Sequence, residues 1–295
     1  MTRLGLSFSA LLLACGPTPA SQPASGEGQS DGVTEPKLDV PDDGTSSSSS
    51  GGDGCTEVVE GDVEVNDTSD FEWLRTVREI RGALTIDGLT EQSNLDFLGC
   101  LEEVESIWIK DTQSLRSLEG LERVKRLESG LSVSGNTALE TLRGLDAVEA
   151  IGQVWILDNP ELSRLELDSP TEIGSFRLGW YECDGYGPDA TAIPRGDNPK
   201  LSELDGFGEV TAVTGFTIEG QSAFSSTETI VEVLSRRKPG SGIPAIGFHL
   251  NPQLGGADVN AVFEALGLDD RFEPSPGIVC ENRDDQNKCP CLGGE

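Results

Sequence analysis

Tryptophan and cysteine carry the narrowest chemistry in this chain. Trp108, Trp155 and Arg177 each stand between two apolar residues, in ESIWIKD, GQVWILD and GSFRLGW. Side chains alternate along a strand, so if the flanking apolar residues point inward, these three point out. Two indoles on a solvent face, about 9.6 Å apart if two steps of a parallel sheet separate them, make a flat apolar platform with a cation beside it. Such a platform stacks on sugar rings or accepts the aromatic anchors of a protein partner. Continued along the chain, the same position reads Glu64, Thr85, Trp108, Ser132, Trp155, Arg177, Thr217 and His249. An aromatic segment with Trp180, Tyr181 and Tyr186 follows. It either adds Trp180 and Tyr181 to a ligand site or folds over Trp108 and Trp155 and buries them.

The cysteines give an address and a framework. MTRLGLSFSALLLAC places one positive charge, an apolar run too short to span a bilayer, and then Cys15. This reads as a signal peptide over residues 1–14. Leu12, Leu13, Ala14 and Cys15 resemble a bacterial lipobox, which implies lipidation of Cys15. Acyl chains on that residue would hold the protein to a membrane. In such lipoproteins Asp at the next position favours the inner membrane, and Gly16 stands there, so the expected location is the outer membrane, at the cell surface or on its periplasmic face. Six cysteines remain: Cys55, Cys100, Cys183, Cys280, Cys289 and Cys291. An even number in an exported chain argues for disulfides, with fifteen pairings available. Cys55 and Cys100 bracket the first two coils of the repeat and are the first pair to expect. A zinc site is the weaker reading, because CENRDDQNKCPC has no CxxC pair and His249 is the only histidine. No metal or other cofactor is expected.

Charge and motifs narrow the function. Against 52 Asp and Glu stand 21 Lys and Arg, a net charge of −31. Nucleic acid, which needs a basic footprint, is not an expected partner. An anionic lipid surface is not either, except through the anchor. So many carboxylates read most simply as a solvated surface. The chain has no nucleophile elbow, phosphate loop or HExxH, and one histidine leaves little room for a triad. The expectation is a non-enzymatic binding scaffold for a protein or glycan ligand. The alternatives are a β-solenoid enzyme acting on polysaccharide through paired carboxylates, or a purely structural envelope protein.

A repeat must position these residues. The second apolar residue of each strand-like segment falls at Val65, Ile86, Ile109, Val133, Ile156 and Leu178, in steps of 21 to 24 residues, then at Ile218 and Leu250. A step near 23 is the signature of a solenoid in which every turn adds one strand to a parallel sheet, here about eight rungs. Each strand is followed by a polar corner and then by leucines three apart, such as Leu139 with Leu142, Leu162 with Leu165 and Leu201 with Leu204. DNPELSRL and DNPKLSEL are equivalent corners, and Asn136, Asn159 and Asn198 share a place where a buried amide can satisfy backbone groups left open by the bend. A second inward segment pairs Val124 with Leu127 and Val148 with Ile151. Gly179 to Gly196 is an insertion. Amphipathic helices are predicted from Thr227 to Arg237, capped by Ser226, and from Ala257 to Leu266, closing the end of the solenoid. Residues 15–54 read as a lipidated N-terminus and a flexible linker of Ser, Gly, Pro and Asp, 55–278 as the solenoid, and 279–295 as a cysteine-containing tail.

CTEVVEGDVEV, from Cys55 to Val65, together with GLDAVEAIGQVWILDNPELSRL, resembles the receptor L domain found in insulin- and epidermal-growth-factor-type receptors. The resemblance covers Cys55 to about Leu204. It implies a leucine-rich, right-handed β-solenoid, mainly β with a few helices, used for binding. This sequence departs from those receptors in having no cysteine-rich module, no membrane-spanning helix and a long insertion after Leu178.

Overall fold

Short segments that alternate apolar and polar residues at a near-constant step can satisfy their backbones by pairing in parallel with the segment one turn away. That is the architecture in a computed structural model, which describes residues 54–184, 191–238, 243–268, 279–280 and 282. The chain is mainly β, with short helices. Its strands are β1 (Glu57–Glu60), β2 (Val63–Val65), β3 (Val77–Asp87), β4 (Glu103–Lys110), β5 (Arg126–Ser134), β6 (Ala150–Leu157), β7 (Glu172–Leu178), β8 (Trp180–Cys183), β9 (Ala192–Arg195), β10 (Ala212–Glu219), β11 (Ala245–His249) and β12 (Val279–Cys280). The principal sheet runs β1-β3-β4-β5-β6-β7-β10-β11-β12, with β2 also on β3, and its pairs are parallel. The cysteines beyond Cys280, the signal and linker residues before Gly54, and Tyr186 lie outside the described residues.

Columns of inward residues fill the interior, and two of them mark the two arms of each strand. Ile86, Ile109, Val133, Ile156, Leu178, Ile218 and Phe248 stand in register on neighbouring strands, each without solvent exposure. Val104, Leu127, Ile151, Ile173 and Val213 form the second column. The corner leucines Leu115, Leu118, Leu139, Leu142, Leu162, Leu165 and Leu201 are wholly buried in the same core. Burial of each such side chain contributes roughly 1.5–3 kcal/mol.

The two columns belong to the same strands, which sequence reading had separated. β5 runs from Leu127 through Leu131 with a register shift between them, and β3 and β4 shift likewise. The strand therefore turns a corner without ending. Glycine makes the stacking of these bends feasible at β6 and β7: a Cβ on Gly152 would collide with the Glu128 carbonyl oxygen, and one on Gly174 with that of Gly152.

At the other bend the residue after β3, β4, β5, β6, β7, β10 and β11 has positive φ: Gly88, Asp111, Gly135, Asp158, Gly179, Gly220 and Leu250 respectively. The next residue in most turns enters a buried ladder. Backbone N–H groups of Thr112, Asn136, Asn159, Asn198, Gln221 and Asn251 donate in succession to the side-chain oxygens of Asn136, Asn159, Asn198, Gln221, Asn251 and Asn282. The three asparagines read from sequence thus form half of a longer series. The equivalence of DNPELSRL and DNPKLSEL is direct, since Asn159 and Asn198 are adjacent members.

The helices differ from expectation in place. α2 (Glu228–Ser235) lies between β10 and β11, and α3 (Gly256–Ala265) between β11 and β12. Each is the back of a turn, not a lid beyond the last strand. Thr229 Oγ1 on α2 donates to the Leu204 carbonyl of the preceding turn, and Thr227 Oγ1 to the Asp258 carbonyl of the next. Ser226 does accept from the Glu228 N–H, although Thr227 occupies the cap position. A short helix, α1 (Phe71–Leu74), precedes β3 and is capped by Asp70, whose carboxylate accepts from the N–H groups of Glu72 and Trp73.

Candidate functional site: the outer face of the sheet

The alternation that buries Ile107 and Ile109 turns Trp108 outward, and Val154 with Ile156 does the same for Trp155. Thr85, Trp108, Ser132, Trp155, Arg177 and Thr217 are paired in unbroken register. Trp108 is 53 % exposed and Trp155 42 %, whereas most large apolar side chains of the described residues are buried. They stand on either side of Ser132, two strand spacings apart, or about 9.6 Å. The described residues of the insertion, 179–184 and 191–196, therefore do not bury them.

Local contacts fix what the platform presents. Trp108 Nε1 lies 3.3 Å from Ser106 Oγ, so its indole N–H is directed along its own strand. The guanidinium carbon of Arg177 lies 5.8 Å from the Trp155 ring centroid, a cation–π arrangement. Arg177 makes no salt bridge among the described residues. At the edge of the face, Lys110 Nζ lies 2.8 Å from an Asp87 carboxylate oxygen. That hydrogen bond and the Asp87 charge hold the ammonium pKa above its ordinary value, so Lys110 is a cation at any physiological pH.

The last member of the expected column is misplaced by two residues. Thr217 pairs with Gly247, and His249 pairs with Glu219. In β11 the inward residues are Ile246 and Phe248, and Leu250 is the positive-φ corner residue. His249 is buried, with Nδ1 2.9 Å from Glu219 Oε1, and Tyr181 meets its ring edge-on at 5.6 Å between centroids. It is part of the support beneath the insertion, not of the open platform.

The described parts of the insertion form a two-stranded antiparallel sheet. β8 pairs antiparallel with β9, Trp180 opposite Arg195 and Tyr181 opposite Pro194. It packs where β10 and β11 end, and the Trp180 carbonyl and Pro194 lie against Gly220. Trp180 and Tyr181 are half-buried there, and among the described residues Trp180 has no ring contact with Trp108 or Trp155. Sequence reading missed Glu219 as the partner of His249; a lone histidine one residue before a corner gives no signal of which acid it meets across the sheet.

Cys55 and Cys100 are disulfide-bonded, with Cα atoms 5.3 Å apart. Thr56 and Glu57 N–H groups both donate to the Thr76 carbonyl, so the chain before β1 lies over the start of β3 and reaches the turn that carries Cys100. Cys183 and Cys280 are each disulfide-bonded as well.

A second concavity lies along the strand bends, about 570 Å³ in volume, lined by residues that include Arg126, Glu128, Glu172 and Ile243. Glu128 and Glu172 are both exposed, as solvated surface carboxylates are. Among the described residues no cluster of His, Cys, Asp and Glu has metal-binding geometry. No protein-family model, curated protein or solved structure matches this chain.

Proposed function

We propose that this protein is a lipid-anchored display scaffold of the bacterial cell envelope, whose parallel solenoid presents Trp108 and Trp155 as a ligand-binding face. The observation that carries the reading is the exposure of both indoles on one strand column, with Arg177 against the second. Large aromatic side chains left in water at the centre of a sheet cost solubility, and binding surfaces are where such residues recur. The eight-rung, right-handed, receptor-L-domain-like description belongs to this proposal, as do the binding role in place of catalysis and the outer-membrane location. A signal sequence, a lipobox-like Cys15 and a linker of about 35 Å average reach would carry the face clear of the lipid headgroups. No helix among the described residues is long and apolar enough to cross a membrane.

Two experiments address it. In cells making the full chain, Cys15→Ser is expected to move the protein from the membrane to the soluble fraction; persistence after a high-salt wash removes the anchor from the account. For the face, full-length protein is incubated with envelopes of the same bacterium. Trp108→Ala and Trp155→Ala are each expected to reduce retention at least tenfold with melting temperatures within about 2 °C of the parent, since neither ring is core. Unchanged retention would contradict the binding face.

A further inference from the structure

We infer, building on the proposed binding face, that its ligand is a neutral glycan lying across the strands. Trp108 directs its N–H toward Ser106 Oγ, so what it offers solvent is chiefly ring carbon. The C–H faces of a pyranose stack on such a surface, while the hydroxyls around the sugar need hydrogen-bonding neighbours. Those neighbours are present: Ser132 lies between the two indoles, Thr85 pairs with Trp108 on its other side, and Gln153 precedes Trp155 on the same side of its strand.

The charge pattern separates this ligand from others. In a chain with 52 Asp and Glu, the residues paired directly with Trp108 and Trp155 are Thr85, Ser132 and Arg177, and the carboxylate of the column, Glu64, stands one strand further out, beyond Thr85. A cationic ligand would find no unpaired carboxylate in direct register with either indole, since Asp87 is held by Lys110, and the cation position at Trp155 is already taken by Arg177. A polyanion would face the repulsion of a net charge of −31. A protein's aromatic anchor would seek a desolvated apolar floor, and the floor here is hydroxyl. The spacing agrees as well: two strand steps, about 9.6 Å, approximate the two-sugar repeat of an extended β-1,4-linked chain, which would set alternate sugars on Trp108 and Trp155.

The test is depletion of the full-length protein from solution by insoluble cellulose, by chitin and by immobilised polygalacturonate. Uptake on a neutral polysaccharide is expected, changed less than about twofold between 50 and 500 mM salt because no ion pair is broken, and weakened at least tenfold by Trp108→Ala or by Trp155→Ala. Uptake by polygalacturonate alone, or uptake indifferent to both substitutions, overturns the inference. If neither neutral polysaccharide takes up the protein while the tryptophan variants still lose envelope retention, the glycan assignment falls and the binding face stands. If the variants keep envelope retention as well, both fall.

Discussion

Removing the Cys55–Cys100 bridge with the double substitution Cys55→Ala/Cys100→Ala is expected to destabilise the folded domain by about 4 kcal/mol. The two residues are 45 apart in sequence, and closing a loop of that length removes conformational freedom from the unfolded chain. The bridge also acts where the solenoid is least self-supporting. β1 has β3 as its partner and only four residues, of which Val59 packs on the core. Without the bridge the strand has a few backbone hydrogen bonds to hold it over the start of β3, and its loss exposes an edge. The melting temperature is expected to fall by roughly 10 °C in a domain of this size. Both cysteines must be changed together, so that no free thiol can exchange with the remaining disulfides. A change below about 1 kcal/mol in equilibrium denaturation would mean that the N-terminal strand adds little to the cooperative unit.

Asn159→Ala is expected to cost a similar amount, about 3–5 kcal/mol, from a single exchange of side chain. Asn159 Oδ1 accepts from the Asn136 N–H and from Asn136 Nδ2, at 3.2 and 3.0 Å. Its Nδ2 donates to the carbonyls of Val133 and Leu157 and to Asn198 Oδ1. Alanine leaves the buried Asn136 N–H without its acceptor, at a cost of about 1–3 kcal/mol. It also removes a further hydrogen bond from Asn136 Nδ2, from the Val133 and Leu157 carbonyls and from Asn198 Oδ1, each worth roughly 0.5–1.5 kcal/mol, although Asn136 Nδ2 keeps the Ile109 carbonyl, Leu157 keeps the Gly135 N–H and Asn198 Oδ1 keeps the Asn159 N–H. Asp cannot substitute, because a carboxylate has no N–H to offer the three acceptors. The comparison that checks this is Asn159→Ala against Thr137→Ala, an exposed residue on the equivalent corner of the preceding turn, by thermal and urea unfolding. Equal stability of the two variants would remove the ladder as a source of cohesion between turns.

The corner leucines and the alternating strand residues were legible in the sequence because both recur at a fixed step, and burial follows the period residue by residue. Asn136, Asn159 and Asn198 were legible for the same reason. Their continuation through Gln221, Asn251 and Asn282 was not, since the insertion and the two helices change the step to 40 and then to about 30, and glutamine breaks the pattern of type. The register error at His249 has a local cause. IGFHL fits two frames, and in most turns the positive-φ corner is Gly or Asp, which adopt it readily, whereas here Leu250 takes it at a steric cost of roughly 1–2 kcal/mol. A leucine after a strand reads as an inward residue, and the frame shifts by two. The platform itself was legible as a column, but whether the described part of the insertion covered it depended on where β8 and β9 pack, and that is settled by contacts between Tyr181 and His249 that no spacing encodes.

Tryptophan oxidation footprinting of the full-length protein, with and without envelopes of its own bacterium and read by peptide mass mapping, tests the binding face most directly. Trp73 supplies the control, because at 41 % it is as exposed as Trp155 but sits on α1, away from the face. The account predicts that Trp73, Trp108 and Trp155 all react in the free protein, and that envelopes protect Trp108 and Trp155 while Trp73 continues to react. Protection of Trp73 with Trp108 and Trp155 still reactive would place the ligand elsewhere and contradict the account.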